Sequence, residues 1–476
     1  MLPVNSYSNL SVEKKAAIWY IVCNIFQKGI AFFVIPLYVR LLTPAEYGQY
    51  TIFQSWCSIL IIFATLNLYC GVFTKAMVDY HSDRDRYTSS MQGLSTIITF
   101  FLFFLYLVMQ KWWNRILEMD FNTICLMFCY FIAFPAFSFW SVRQRVENKY
   151  KKMVLITLLQ SVATPFIGIS LLLYSDLRVN AVIWGFLITQ TFFGFYFYIY
   201  HFVNGRSFYH KEYWLHAIKY NIPLIPHYLS LVVLGQIDRI LIGNYCGKDK
   251  AGIYSLAYQV SMIINVVVSG INGSYVPWIY EKFKKRDYEL VKNQSNKLCV
   301  LVTLLTVSAM LLTPEFVFMI GTEEYYAAIW IIPAVCVSVF FQFCYGLFAC
   351  VEFYYDATRY VMIATTIGAC LSVGMNILLL PRFGYLAAGY TSLCCYMFFM
   401  LLHYIFMRCV CSQQLDGFQI FDNRFICLLC IFHIVFLPLC LLLYLFMILR
   451  YLVILILLVI ILMQWKKVQL ILMKNN

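Results

Sequence analysis

Charge is what this sequence has least of. Asp, Glu, Lys and Arg make up 12% of its 476 residues, where soluble domains carry roughly a quarter. That shortage excludes an ordinary water-facing surface. The 62% hydrophobic content is more apolar area than a soluble core can bury, so lipid is the natural solvent. No phosphate-cradling glycine loop, metal-ligand cluster or nucleophile motif is present, which argues against chemistry on a soluble cofactor. The loops are short as well. The longest, 74–92, 204–221 and 277–297, leave no room for a soluble domain of ~50 residues. Alternating ten-residue strands are missing, which excludes a membrane β-barrel. The polar start MLPVNSYSNLSVEKK is not followed by a short apolar region with a cleavage site, so the first span is expected to act as the insertion signal. The 18 cysteines fall mostly in apolar runs. Cys427 and Cys430 have CxxC spacing without a second pair and read as packing residues rather than a zinc or redox site.

What is present is a series of long apolar runs. Spans of ~20 residues cross a bilayer as helices. Fourteen candidates appear: 18–39, 49–73, 93–110, 121–142, 153–174, 181–203, 222–245, 252–276, 298–314, 327–351, 361–380, 386–407, 425–449 and 451–463. The last is short enough to be interfacial. With the N-terminus inside, the inner segments hold 25 of the 35 Lys and Arg and the outer loops 8, with Lys28 and Arg239 inside spans. This bias predicts that both termini are cytoplasmic. It also accounts for the net charge of +13 through topology and anionic lipid, with no need for nucleic acid.

An internal repeat gives the organisation. EYGQYTI at Glu46–Ile52 aligns with KAGIYSL at Lys250–Leu256, matching Gly48 to Gly252 and Tyr50 to Tyr254. A fainter echo pairs NKYKKMVLI at Asn148–Ile156 with DATRYVMIA at Asp356–Ala364. The expected fold is therefore an all-α integral membrane protein of about fourteen transmembrane helices. Two parallel six-helix lobes, 1–203 and 204–410, would be followed by an appended pair in 411–476. Parallel repeats of this kind build transporters with a substrate cavity between lobes. Pro135 and Pro165 fall inside spans and favour kinks, while Pro223 and Pro226 fall in a first turn where proline costs little.

The polar residues within spans are the candidates for function. An Asp or Arg at a helix centre costs ~2.5–3.5 kcal/mol on insertion scales. In SLVVLGQIDRILIGNYC, at Ser230–Cys246, Asp238 and Arg239 stand side by side among Leu, Val and Ile. Lys28 lies near the middle of the first span, with Asn24 one turn away on the same face and Gln27 beside it. Two readings follow. In one, Lys28, Arg239, Asn24 and Gln27 line a cavity that presents cations to an anionic ligand. In the other, Asp238 pairs with Lys28 or Arg239 and locks the structure. Asp238 is read as the structural or coupling partner. Gln54, Asn67, Asn265 and Asn272 read as interhelical hydrogen bonding. The basic runs RQRVENKYKK and EKFKKRDYELVK read as positive-inside signal, with anionic headgroup binding as the minority reading.

Three stretches resemble polysaccharide-repeat flippases, the O-antigen and capsule transporters of bacterial inner membranes. They are IPLYVRLLTPAEYGQYTIFQS at Ile35–Ser55, IPLIPHYLSLVVLGQIDRILIGNYCGKDKAGIYSLAYQVS at Ile222–Ser261 and PEFVFMIGTEEYYAAIWIIP at Pro314–Pro333. That family belongs to the multidrug, oligosaccharidyl-lipid and polysaccharide exporter superfamily, and the likeness covers about the first 410 residues. It implies a two-lobed bundle around a central cavity that opens alternately to each side. The implied cargo is an undecaprenyl-diphosphate-linked oligosaccharide, moved from the cytoplasmic to the periplasmic leaflet. The implied partners are that lipid, the bilayer and other polysaccharide-assembly membrane proteins. No cofactor is implied, and a proton or sodium gradient is one source of drive. Three rivals are a multidrug or cation antiporter of the same superfamily, a membrane-embedded polymerase or acyltransferase, and a non-transporting scaffold. The antiporter would want acidic cavity residues where this chain has Lys28, and the enzyme would want a sizeable polar outer loop.

Overall fold

A computed structural model describes residues 11–459, and among these the regular structure is helical. In lipid every backbone amide must be satisfied within its own segment, and a helix does that without a partner strand. The chain forms two compact units, Met1–Gly252 and Ile253–Asn476.

The first unit contains α1 (Val12–Leu41), α2 (Pro44–Thr65), α3 (Val72–Asp79), α4 (Arg84–Val108) and α5 (Gln110–Leu117). It continues with α6 (Phe121–Val146), α7 (Tyr150–Tyr174), α8 (Val179–Gly205), α9 (Lys211–Asn221), a short 3₁₀ turn and α10 (Ile225–Cys246). The unit boundary falls early in α11 (Lys248–Lys284). The second unit holds the rest of α11, then α12 (Tyr288–Leu311), α13 (Thr313–Ile320), a 3₁₀ segment, α14 (Ile332–Tyr354) and α15 (Thr358–Phe383). It ends with α16 (Ala387–Gln414), α17 (Asn423–Leu443) and α18 (Met447–Val459).

Sequence explains where these helices begin. Thr43 and Glu46 form a reciprocal capping box at α2, with Pro44 in the first turn, satisfying amides that a helix start leaves open. Asp120 accepts from the Thr123 amide at 3.1 Å to cap α6. Asp422 accepts from the Phe425 amide at 3.2 Å to cap α17. Gly247 joins α10 to α11 alone, at φ +103°, a left-handed turn suited to glycine.

Twelve of the described helices are long and apolar enough to cross a membrane, against fourteen expected. Of the other two, α2 is long enough at 22 residues, but its first half is polar. The described helix α18 is short, and the last residues of the expected span 451–463 lie outside the described residues. The second span also ends earlier than expected. Its helix stops at Thr65, where Leu66 and Asn67 adopt left-handed φ of 47° and 49°. The buried Asn221 side chain, at the end of α9, donates to the Leu66 and Asn67 carbonyls at 2.9 and 3.0 Å. A tertiary hydrogen bond thus satisfies what the broken helix exposes.

Many helix faces are apolar and open. Phe33, Phe104, Phe166, Phe192 and Ile448 are all exposed, as lipid contact requires. In the second unit α14 is the central element, buried almost throughout and packed by α12, α16 and α17.

Candidate functional site

Gln236 organises the charged stretch of α10. This helix packs on α2, and Asp238 and Arg239 are buried, 2% and 4% exposed. Arg239 Nη1 donates to the Gly235 carbonyl at 2.7 Å and to Gln236 Oε1 at 3.2 Å. The same Gln236 oxygen lies 3.2 Å from Ser55 Oγ on α2. The field of the guanidinium also reaches the Tyr47 hydroxyl of α2. A buried cation needs such partners, because its charge has left water. Small residues let the backbones approach: a Cβ on Gly48 would lie 1.8 Å from the Lys248 carbonyl oxygen.

Lys28 sits in a second polar region. It is half-buried on α1, with Gln27 half-buried beside it and Asn24 exposed. Gln27 Nε2 donates to Ser161 Oγ of α7 at 3.2 Å. From there polar side chains continue into α8, where Gln160 Nε2 donates to Gln190 Oε1 at 2.5 Å and Gln190 to Thr164 Oγ1 at 3.3 Å. The structure thus gathers Asp238 and Arg239 at α2–α10, and Gln27 at α1–α7 with Lys28 and Asn24 on the same helix.

The two ends of the first unit differ in charge. At the end where α2, α6, α8 and α11 begin, Glu46 receives both Arg178 Nε and Nη2 at 2.8 Å. Lys248 pairs with Glu118 there, also at 2.8 Å. The Lys248–Glu118 pair borders a cavity of about 240 Å³ that Gln49, Asp120, Thr123 and Asn180 also line. At the opposite end Glu147 is held by Arg143 at 2.8 Å, Lys149 at 2.6 Å and Arg84 at 3.5 Å, and Arg143 also pairs with Asp85. Burial pushes the Glu147 carboxyl up, but Lys149 and Arg143 outweigh it and hold its pKa below the ordinary value.

Sequence reasoning missed a buried pair in the second unit. Glu352 on α14 and His403 on α16 are both fully buried, and His403 Nδ1 lies 3.0 Å from each carboxylate oxygen. The signal was present: each stands alone in an apolar run, FACVEFYY and FMLLHYIF. The span expected at 327–351 stopped one residue short of Glu352. Among the described residues no group of three or more His, Cys, Asp and Glu is placed to hold a metal ion. Cys430 faces inward to Met400, while Cys427 faces outward.

These features define the class: a multi-span helical membrane protein with buried charge and polar seams between helices. Its structure is similar to a lipid II flippase, MurJ, in an inward closed conformation, with TM-score 0.63 and 14% identity, covering 93% of this chain and 97% of that one. It is also similar to an inward-facing multidrug resistance MATE family transporter, with TM-score 0.59 and 14% identity over 83% and 98% of the two chains. At these identities the likeness is one of fold.

The chain belongs to the polysaccharide biosynthesis protein family, which matches residues 14–283. The MatE family matches residues 223–378. Among curated proteins, a Haemophilus influenzae uncharacterized membrane protein is 22% identical over 294 residues, 59% of this chain and 68% of that protein. Lsg locus putative protein 1 of the same organism is 29% identical over 82 residues, 17% of this chain and 20% of that protein.

Proposed function

We propose that this protein is a flippase. It carries an undecaprenyl-diphosphate-linked oligosaccharide from the cytoplasmic to the periplasmic leaflet of a bacterial inner membrane, for O-antigen or capsule assembly. The observation that carries the reading is the polysaccharide biosynthesis match across residues 14–283, a segment that contains both intramembrane cations. The fold-level likeness to a lipid II flippase supports it. So does physical chemistry: a sugar diphosphate cannot cross hydrocarbon without a polar, cationic path. The lipid tail can stay in the bilayer while the head group passes.

In this proposal Lys28 and Arg239 present positive charge to the diphosphate, and Asn24 and Gln27 offer hydrogen bonds to sugar hydroxyls. Asp238 balances Arg239 while no cargo is bound. The repeat-defined lobes, 1–203 and 204–410, move against each other by alternating access, with 411–476 appended, and both termini remain cytoplasmic.

The MatE match at residues 223–378 favours a second reading, a cation or drug antiporter, in which Asp238 would be the working charge. One experiment separates them. In a strain lacking this protein but still making the sugar chain, a probe that cannot cross the inner membrane reports which leaflet holds the lipid-linked units. Single repeat units trapped on the cytoplasmic side establish the flippase. Units accumulating outside indicate a downstream enzyme, and no accumulation moves the antiporter first.

A further inference from the structure

The Glu352–His403 pair takes no part in the cargo path proposed above. We propose that it is a proton-binding site, filled and emptied as the transporter cycles.

When Glu352 is ionised, its two oxygens, each 3.0 Å from His403 Nδ1, accept from that nitrogen. Nε2 then holds the lone pair, and it is buried with no hydrogen-bond partner among the described residues. In that form the pair carries one net negative charge with no exposed surface, a costly state. One more proton on Nε2 makes an imidazolium beside a carboxylate, and the net charge vanishes. The site is therefore built to accept a single proton.

On α14 the Tyr345 ring stacks on the imidazole with centroids 5.3 Å apart, and on α16 the Phe399 ring meets it edge-on at 4.5 Å. Two turns away, Cys344 faces Cys299 of α12 and Cys430 of α17. Among the described residues, Glu352 and His403 have no ion pair except with each other. The route to water is short. Glu352 is in the last turn of α14, and its carbonyl accepts from the Ala357 amide of the following loop at 2.8 Å. A small opening at this end would let water deliver the proton, and a rearrangement of α14 against α16 would release it.

The purpose of the site rests on the transporter reading, but its first test needs no cargo. Purified protein in lipid nanodiscs, weakly buffered with a pH-sensitive dye, is taken from pH ~8 to ~5, the range in which histidine-based sites titrate. The wild type should take up one proton per chain more than Glu352→Gln, which preserves volume and an acceptor oxygen. If that variant is polydisperse, Glu352→Gln/His403→Gln replaces it. Equal uptake overturns the proposal. In cells, an ionophore exchanging potassium for protons should slow wild-type export and leave the reduced Glu352→Gln export unchanged. If the variant exports like the wild type and is slowed equally, the site does not drive transport.

Discussion

At the scale of single residues, buried charge is the feature most exposed to experiment. Arg239 donates to Gly235 and Gln236 at the α2–α10 contact. Arg239→Ala should reduce surface polysaccharide on the order of tenfold or more, equivalent to about 1.4 kcal/mol of lost transition-state stabilisation, with protein levels maintained. Lys28→Ala should do the same. Quantitative immunoblotting of polysaccharide and protein checks both, and full activity in both variants removes them from the cargo path. Glu147 gives a pH prediction. Its pKa is lower folded than unfolded, so the unfolded chain binds more protons. Its stabilisation is present above the ordinary carboxylate pKa of ~4.3 and is lost as pH falls through the lowered folded value. Glu147→Gln should therefore melt below the wild type at pH ~7, and the difference should close under acid. A gap that persists at pH ~3 would mean the partners act through shape rather than charge.

At the scale of elements, close helix contacts depend on particular glycines. A Cβ at position 48 would strike backbone at 1.8 Å, whereas one at position 235 meets nothing within 4 Å. Gly48→Ala should cost about 1–3 kcal/mol, the usual penalty of overpacking. Gly235→Ala should gain about 0.4–1 kcal/mol by narrowing the unfolded ensemble. Thermal melts of the two variants in detergent decide it, and similar shifts would contradict the contact between α2 and the start of α11. The bend after α2 is another element-level feature. Asn221→Ala removes the donor to the Leu66 and Asn67 carbonyls, and its effect on melting should approach that of losing buried hydrogen bonds, about 1–3 kcal/mol.

At the scale of the whole molecule, orientation is the property to measure. The Lys and Arg distribution predicts that the loop at Gly247 faces the periplasm and the α9 region faces the cytoplasm. Reporter enzymes that work on only one side of the membrane, fused after Cys246 and after Arg206, should give opposite signals. Matching signals would refute the assigned topology. The appended helices are tied to their unit at one end by Arg450, which pairs with Glu315 of α13, and by Tyr451, whose hydroxyl donates to Glu315 at 2.7 Å.

Hydropathy and charge bias alone determined that this is a helical membrane protein and located nearly all of its spans, because lipid leaves the backbone few alternatives. The isolated charges Lys28, Asp238 and Arg239 were equally visible, since each breaks an apolar run. Only the tertiary structure decided what those charges touch. Gln236 is one polar residue among many until α2 brings Ser55 beside it. Glu352 and His403 are 51 residues apart, and nothing in periodicity says they meet. The end of α2 was hidden for the same reason: an apolar run continues through Thr65–Phe73, and the carbonyls freed there are satisfied by Asn221, more than 150 residues later. Span positions follow from local transfer free energy, whereas partners follow from packing between distant segments, which no single stretch of sequence encodes.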